Sequence, residues 1–239
     1  MPATNPVAQI YINEENIETI VCANNFFSST IPEIKNGAEL QIYLMNCRGI
    51  TIAQKVYDLN YNGSKSFSAK EILKEANTKS KIGLVCCSIK PKTGQNVEEI
   101  YKKSGQCVSH FFVLYKDLQN NSIGLVHPQS TLKGKPARFS SWRSNQMLNL
   151  NGLKKLRIYQ ANHSENKAEI VYSLFDYHSG AEIDKKKLSI EKFSADFIDF
   201  EVEKYVSYAY LQTNSLPVGN GKPLIMRVFK DDKWTIIHG

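Results

Sequence analysis

Apolar and polar residues alternate with period two in several short segments of the chain. The clearest are Leu40-Gln41-Ile42-Tyr43-Leu44, Leu156-Arg157-Ile158-Tyr159, residues 167–172 and the Tyr- and Val-rich stretch 202–211. That period belongs to a half-buried β-strand, whose successive side chains point to opposite faces. Gly/Asn/Asp turn chemistry separates the segments, at Tyr61-Asn62-Gly63, 118–122, 177–180 and 230–233. Residues 111–116 with 123–127, and 224–230 with 234–238, read as hairpins. Only residues 69–76 have helical composition. Roughly seven short strands per unit, with turns every 8–12 residues, are the sequence form of an antiparallel sandwich.

The chain also reads as two copies of one unit. Asn36-Gly37-Ala38-Glu39-Leu40-Gln41-Ile42-Tyr43 runs against Asn151-Gly152-Leu153-Lys154-Lys155-Leu156-Arg157-Ile158-Tyr159, and each copy reaches an Asn three residues later, Asn46 and Asn162. The stretch from Val56 to Gly63 matches that from Val171 to Gly180, and Phe27-Ser28-Ser29 matches Phe139-Ser140-Ser141. Tyr115-Lys116-Asp117 matches Phe229-Lys230-Asp231, and the last strands end at His127 and His238. The offsets run from 111 to 117, too long for a solenoid repeat and long enough for a complete domain. The expectation is an all-β protein of two tandem antiparallel β-sandwiches, residues 7–128 and 129–239, arising from internal duplication. The rough strand order resembles immunoglobulin-like or fibronectin-type-III-like modules in architecture. The Cys…Trp…Cys spacing of true immunoglobulin domains is absent from the sequence.

Composition narrows the classes. With 42% hydrophobic and 22% charged residues in 239, the chain has enough apolar surface to fold, unlike a disordered segment. The longest apolar stretches, 82–89 and 111–115, are strand-length, whereas a spanning helix needs ~20 residues. The N-terminus lacks the basic and apolar regions of a secretory signal. Five cysteines, all in the first half, suit free thiols in a reducing, cytoplasmic compartment or a protein delivered into a host cell. The net charge of +7 is spread along the chain, in short runs such as Lys185-Lys186-Lys187. Nucleic acid is therefore not the expected partner, since a phosphate-binding footprint should form a concentrated stripe.

Catalytic patterns are thin. Cys107 and His110 are three apart, and in a regular strand they point to opposite faces. The adjacent Cys86 and Cys87 read as one core residue and one on the sheet face or edge. The five histidines have no spacing that brings two ligands to one face, so neither a metal nor a cofactor is expected. Asn60 and Asp176 precede Gly-ended turns and read as turn caps. Lys133, Lys135, Arg138, Trp142 and Arg143 form the candidate binding patch, because Trp and Arg combine apolar area with directed hydrogen bonding. The opposing reading of Trp142 is packing at the start of the second core.

Together these features point to a non-catalytic protein that engages a protein partner. Three alternatives stand beside it: carbohydrate recognition by exposed aromatics, a structural subunit that assembles with copies of itself, and an enzyme using Cys107 or Cys47 as nucleophile.

Overall fold

The computed structural model describes residues 6–30, 37–92, 111–128, 130–131, 139–144, 147–202, 207–217 and 221–239. In chain order the elements are β1 (Val7–Ile12), β2 (Ile17–Asn24), α1 (Phe26–Thr30), β3 (Ala38–Asn46), β4 (Thr51–Leu59), β5 (Ser64–Ser68), α2 (Ala69–Glu75), β6 (Ile82–Pro91), β7 (Phe111–Asp117) and β8 (Ile123–Val126). The second half continues with β9 (Ser130–Thr131), β10 (Phe139–Arg143), β11 (Leu148–Asn149), β12 (Leu153–Asn162), β13 (Ala168–Asp176), β14 (Glu182–Ile190), β15 (Ser194–Glu201), β16 (Tyr208–Pro217), β17 (Leu224–Phe229) and β18 (Trp234–His238). The protein is all-β, and no helix among the described residues is long and apolar enough to cross a membrane.

The strands form four antiparallel sheets. Sheet I has the order β4-β3-β6-β1-β9, sheet II β5-β2-β7-β8, sheet III β15-β12-β17-β18, and sheet IV β10-β16-β13-β14, with β11 also on β16. The alternating segments 40–44, 156–159 and 168–172 lie in β3, β12 and β13, both expected hairpins form, and α2 occupies the helical segment. Ser68 caps α2, its hydroxyl accepting from Glu71 N–H at 3.4 Å, in the Ser-x-x-Glu arrangement that stabilises a first helical turn. The stretch 202–211 is not one strand. β15 of sheet III ends at Glu201 and β16 of sheet IV begins at Tyr208, because a run of strand-forming residues does not reveal where one strand ends and the next begins.

Three apolar layers separate the four sheets. Leu40, Ile42, Leu44, Val85, Cys87 and Ile89 share one face of sheet I and pack toward Val21, Val113 and Tyr115 of sheet II. The opposite face of sheet I carries Ile10, Met45, Leu84 and Cys86, also buried. Sheet III covers it with Tyr159, Ala161, Ala195, Leu224 and Met226, which belong to the same apolar cluster. The other face of sheet III presents Leu156, Ile158, Phe200 and Ile225 to sheet IV, and these form the second cluster. The boundary between the cores therefore passes through sheet III and not through the chain midpoint.

This stacking corrects the reading of the two adjacent cysteines. Cys86 and Cys87 point to opposite faces, yet both are buried, because both faces of β6 are covered. Burial pushes the Cys86 thiol up to about 12 and the Cys87 thiol higher than its ordinary value as well, which leaves both poor nucleophiles. Close contacts mark where the halves meet. Gly49, at φ +71°, lies so near Lys192 that an added Cβ would be 2.0 Å from its carbonyl oxygen. Gly124 of β8 lies against Ile236 of β18 in the same way.

The two halves share one strand order. Counting strands within each half, with β10 and β11 together as the first, the fourth, third, sixth and first strands make one sheet and the fifth, second, seventh and eighth the other. The sequence landmarks do not all follow that order. Ala38 to Tyr43 of the first matching stretch lie in the third strand of their half, whereas the other stretch runs into β12, the second strand of its half. Val56 lies in a fourth strand and Val171 in a third, while Phe27 is helical and Phe139 is in a strand. Only the final hairpin matches in both sequence and topology. Ser130 and Thr131, just past the expected boundary, pair with β1 in the first half.

Candidate functional site

Lys133, Lys135 and Arg138 of the candidate patch lie outside the described residues, as do Cys107 and His110. Trp142 and Arg143 are adjacent in β10 and therefore point to opposite faces of sheet IV. Trp142 is half-buried against the second apolar cluster, and a Cβ added at Gly239 would come within 2.5 Å of its ring. Its place is that of a packing residue. Arg143 turns outward, and its guanidinium carbon sits 3.7 Å from the Tyr210 ring centroid.

Around Arg143, sheet IV presents an ordered aromatic row. Tyr210 and Phe175 are direct cross-strand partners, with ring centroids 5.1 Å apart and planes 11° from parallel. Arg143, Tyr210 and Phe175 thus stack across three strands, a geometry that adds quadrupole and cation attractions to area burial. Beyond them, His178 meets both Tyr177 and Tyr208 edge-on, and Tyr177 is 44% exposed. Beside the row runs a groove of about 310 Å³ lined by Ser173, Glu182, Lys185, Gln212 and Asn214. Arg143 was legible as a candidate from its neighbours in sequence. Tyr210, Phe175 and Tyr177 were not, because their grouping depends on strand register.

Searches of protein-family models and of curated proteins find no match. The reading of this face therefore rests on its own geometry. The face of the Tyr210 ring toward β10 is covered by Arg143 and the one toward β13 by Phe175, so neither is open for a sugar ring. Ring edges, a guanidinium and carboxamides remain exposed, a composition enriched at protein–protein contacts.

The other sequence candidates resolve individually. Asp176 caps its turn, accepting from the backbone N–H groups of His178 and Ser179 at 3.0 and 2.6 Å. The Ser179 N–H bond holds its carboxyl below the usual range, and Asp117 caps the β7–β8 turn in the same way. Cys47 is exposed on the β3–β4 turn, and Cys22 is half-buried on β2. Among the described residues no group of three or more His, Cys, Asp or Glu could hold a metal.

His127 and His238, the paired ends of the two final hairpins, touch each other, with ring centroids 4.8 Å apart. Burial first, then His127 and Lys222, push the His238 pKa down from 6.5 to about 4. An unfolded chain would protonate this ring at higher pH than the native one does. Stability is therefore full above about pH 6.5 and declines as pH falls toward 4. Solvent screening of the partly exposed ring leaves about 1–2 kcal/mol of this effect. Urea melts of wild type and His238→Gln across pH 4–7 should diverge, with the variant's profile flatter. Parallel profiles would remove His238 from the account.

Proposed function

We propose that the chain is a non-catalytic binding protein that engages a protein partner through the exposed face of sheet IV. The observation that carries the reading is the Arg143–Tyr210–Phe175 stack with the exposed Tyr177 beside it. Rigid aromatics and an arginine held in one orientation lose little conformational freedom on binding, which is how such residues come to dominate interface energetics. Lys133, Lys135 and Arg138 directly precede β10 in sequence and enter the proposal on that ground alone.

The shared strand order of the halves supports duplication of one eight-stranded unit, with units near residues 7–128 and 129–239. The likeness to immunoglobulin modules extends to two-sheet architecture. In those modules the first and second strands pair, whereas here the second strand of each half pairs with the fifth and seventh.

Immobilised full-length chain is expected to capture a specific protein from lysate. An Arg143→Glu/Tyr177→Ala variant should lose that protein while its melting temperature stays unchanged. Equal capture by both would overturn the assignment to this face. A glycan-array signal with no captured protein would favour carbohydrate recognition instead.

A further inference from the structure

A second concave site lies on the first half, away from sheet IV, and its chemistry is cationic. In α2, Lys70 and Lys74 are four residues apart and so stand on one side of the helix. The helix ends with Asn77 at φ 48°, and Thr78 N–H donates to Leu73 C=O at 3.0 Å. That left-handed step turns the chain back, so that Lys79 and Lys81 line the same groove as Lys70 and Lys74. The groove holds about 480 Å³, with Leu73 in its lining and the carboxamides of Asn13 and Asn77 at its sides.

The returning segment is fixed from below. Asn13 N–H donates to Lys81 C=O at 2.8 Å, and Asn13 Nδ2 donates to Ser80 C=O at 3.2 Å. The Tyr11 hydroxyl donates to Ser80 Oγ at 2.8 Å, and Ser80 Oγ donates to Ile82 C=O at 3.0 Å. The four ammonium groups are thus carried on two tethered backbone segments.

Lys55, Lys92, Lys154, Lys167, Lys187 and Lys233 each meet a carboxylate within 4.0 Å. Among the described residues Lys70, Lys74, Lys79 and Lys81 carry no ion pair, a state shared with lysines such as Lys65, Lys90 and Lys116, and what distinguishes them is the one groove that they line. Of the acids nearby in sequence, Glu75 pairs with Lys55 and Glu14 with Arg157, while Glu71 of α2 lies within electrostatic reach of Tyr57. The helix C-terminus attracts cations in its last turn, which accounts for Lys74 but not for Lys70 at the first turn or for the two lysines beyond the helix. Four like charges around one concavity repel each other and focus a positive field into it. A multivalent anion relieves that repulsion.

We propose that this groove binds a small ligand bearing two or more phosphate groups. Lysine ammonium groups act on phosphate as point charges, and the Asn13 and Asn77 carboxamides can add neutral donors. The compact, open groove, lined within one short stretch of chain, fits a small polyphosphate ester or a phosphorylated lipid headgroup better than an extended nucleic-acid backbone, which needs a long stripe.

The test is calorimetric titration of the full chain with sodium tripolyphosphate at 50 mM salt (about a third of physiological ionic strength). One saturable site is expected, weakened about tenfold or more in Lys74→Gln/Lys81→Gln. The charge-matched variant Lys154→Gln/Lys233→Gln should stay within about twofold of wild type. All four residues are exposed, so unchanged melting curves serve as the folding control. Sedimentation with phosphatidylcholine vesicles, with and without phosphatidylinositol bisphosphate, distinguishes the two sources. Capture that tripolyphosphate reverses identifies a headgroup, and tripolyphosphate binding without capture identifies a soluble ligand. Absence of saturable heat, or equal weakening in both double variants, overturns the site.

Discussion

Tyr159→Ala should lower the free energy of unfolding by about 3–5 kcal/mol, the range for deleting a large buried side chain. Tyr159 is fully buried, although its strand belongs to the second half and its neighbours to both. Its ring packs 5.5 Å from Phe197, and its hydroxyl faces the Met226 sulfur at 3.8 Å. The side chain sits in the layer between sheets I and III, so the resulting cavity weakens the contact between the halves as well as one sheet. Urea unfolding, followed by tryptophan fluorescence and by far-ultraviolet circular dichroism, should give one transition displaced equally in both probes. Both tryptophans are in the second half, so fluorescence reports that half while circular dichroism reports all strands. A loss below about 1 kcal/mol, or two separated transitions with only the fluorescence one moved, would show that the halves do not share a core.

The second large effect concerns the ion network at the edge of that layer. Arg157 Nε and Nη2 donate to Asp199 at 2.7 and 2.9 Å, and Nη1 donates to Glu14 of the first half at 2.8 Å. Only 13% of the Arg157 side chain is exposed. Burial pushes the Asp199 carboxyl up, but the bonds from Arg157 and Lys155 reverse this and hold it below the usual range. Arg157→Met should cost about 3 kcal/mol, because it leaves a half-buried carboxylate with a single partner. Arg157→Met/Asp199→Leu should recover part of that loss, since removing both charges also removes the uncompensated one. Glu14→Gln alone should cost less than about 1 kcal/mol, as Glu14 is the more exposed partner. Chemical denaturation of the four proteins decides it. If the double variant were no more stable than Arg157→Met, packing rather than charge would explain the residue.

Much of the local structure was readable before any coordinates. The period-two segments in β3, β12 and β13, both final hairpins, the short helix and the capping role of Asp176 all follow from near-neighbour physics. One further signal was present. The nearly uninterrupted apolar run 82–89 is the form of a strand buried on both faces, and β6 is such a strand. Reading it that way would have implied a third layer and buried both adjacent cysteines.

The repeat shows where local pattern stops informing. Matches such as Asn36–Tyr43 with Asn151–Tyr159 reflect one strand-and-turn chemistry reused in different places. Any alternating strand preceded in sequence by Asn-Gly looks like any other, so similar segments fell on second and third strands. Equivalence became visible only in the pairing order.

The amino-acid sequence by itself determined the element types, the hairpins and the turns, because each depends on residues a few positions apart and on which side chains prefer to be buried. Tertiary structure alone decided that the halves stack through sheets I and III, that Arg143 joins Tyr210 and Phe175, and that four dispersed lysines line one groove. Those arrangements depend on strand register and on which face is covered, and alternation along a strand distinguishes two faces without stating what lies against either.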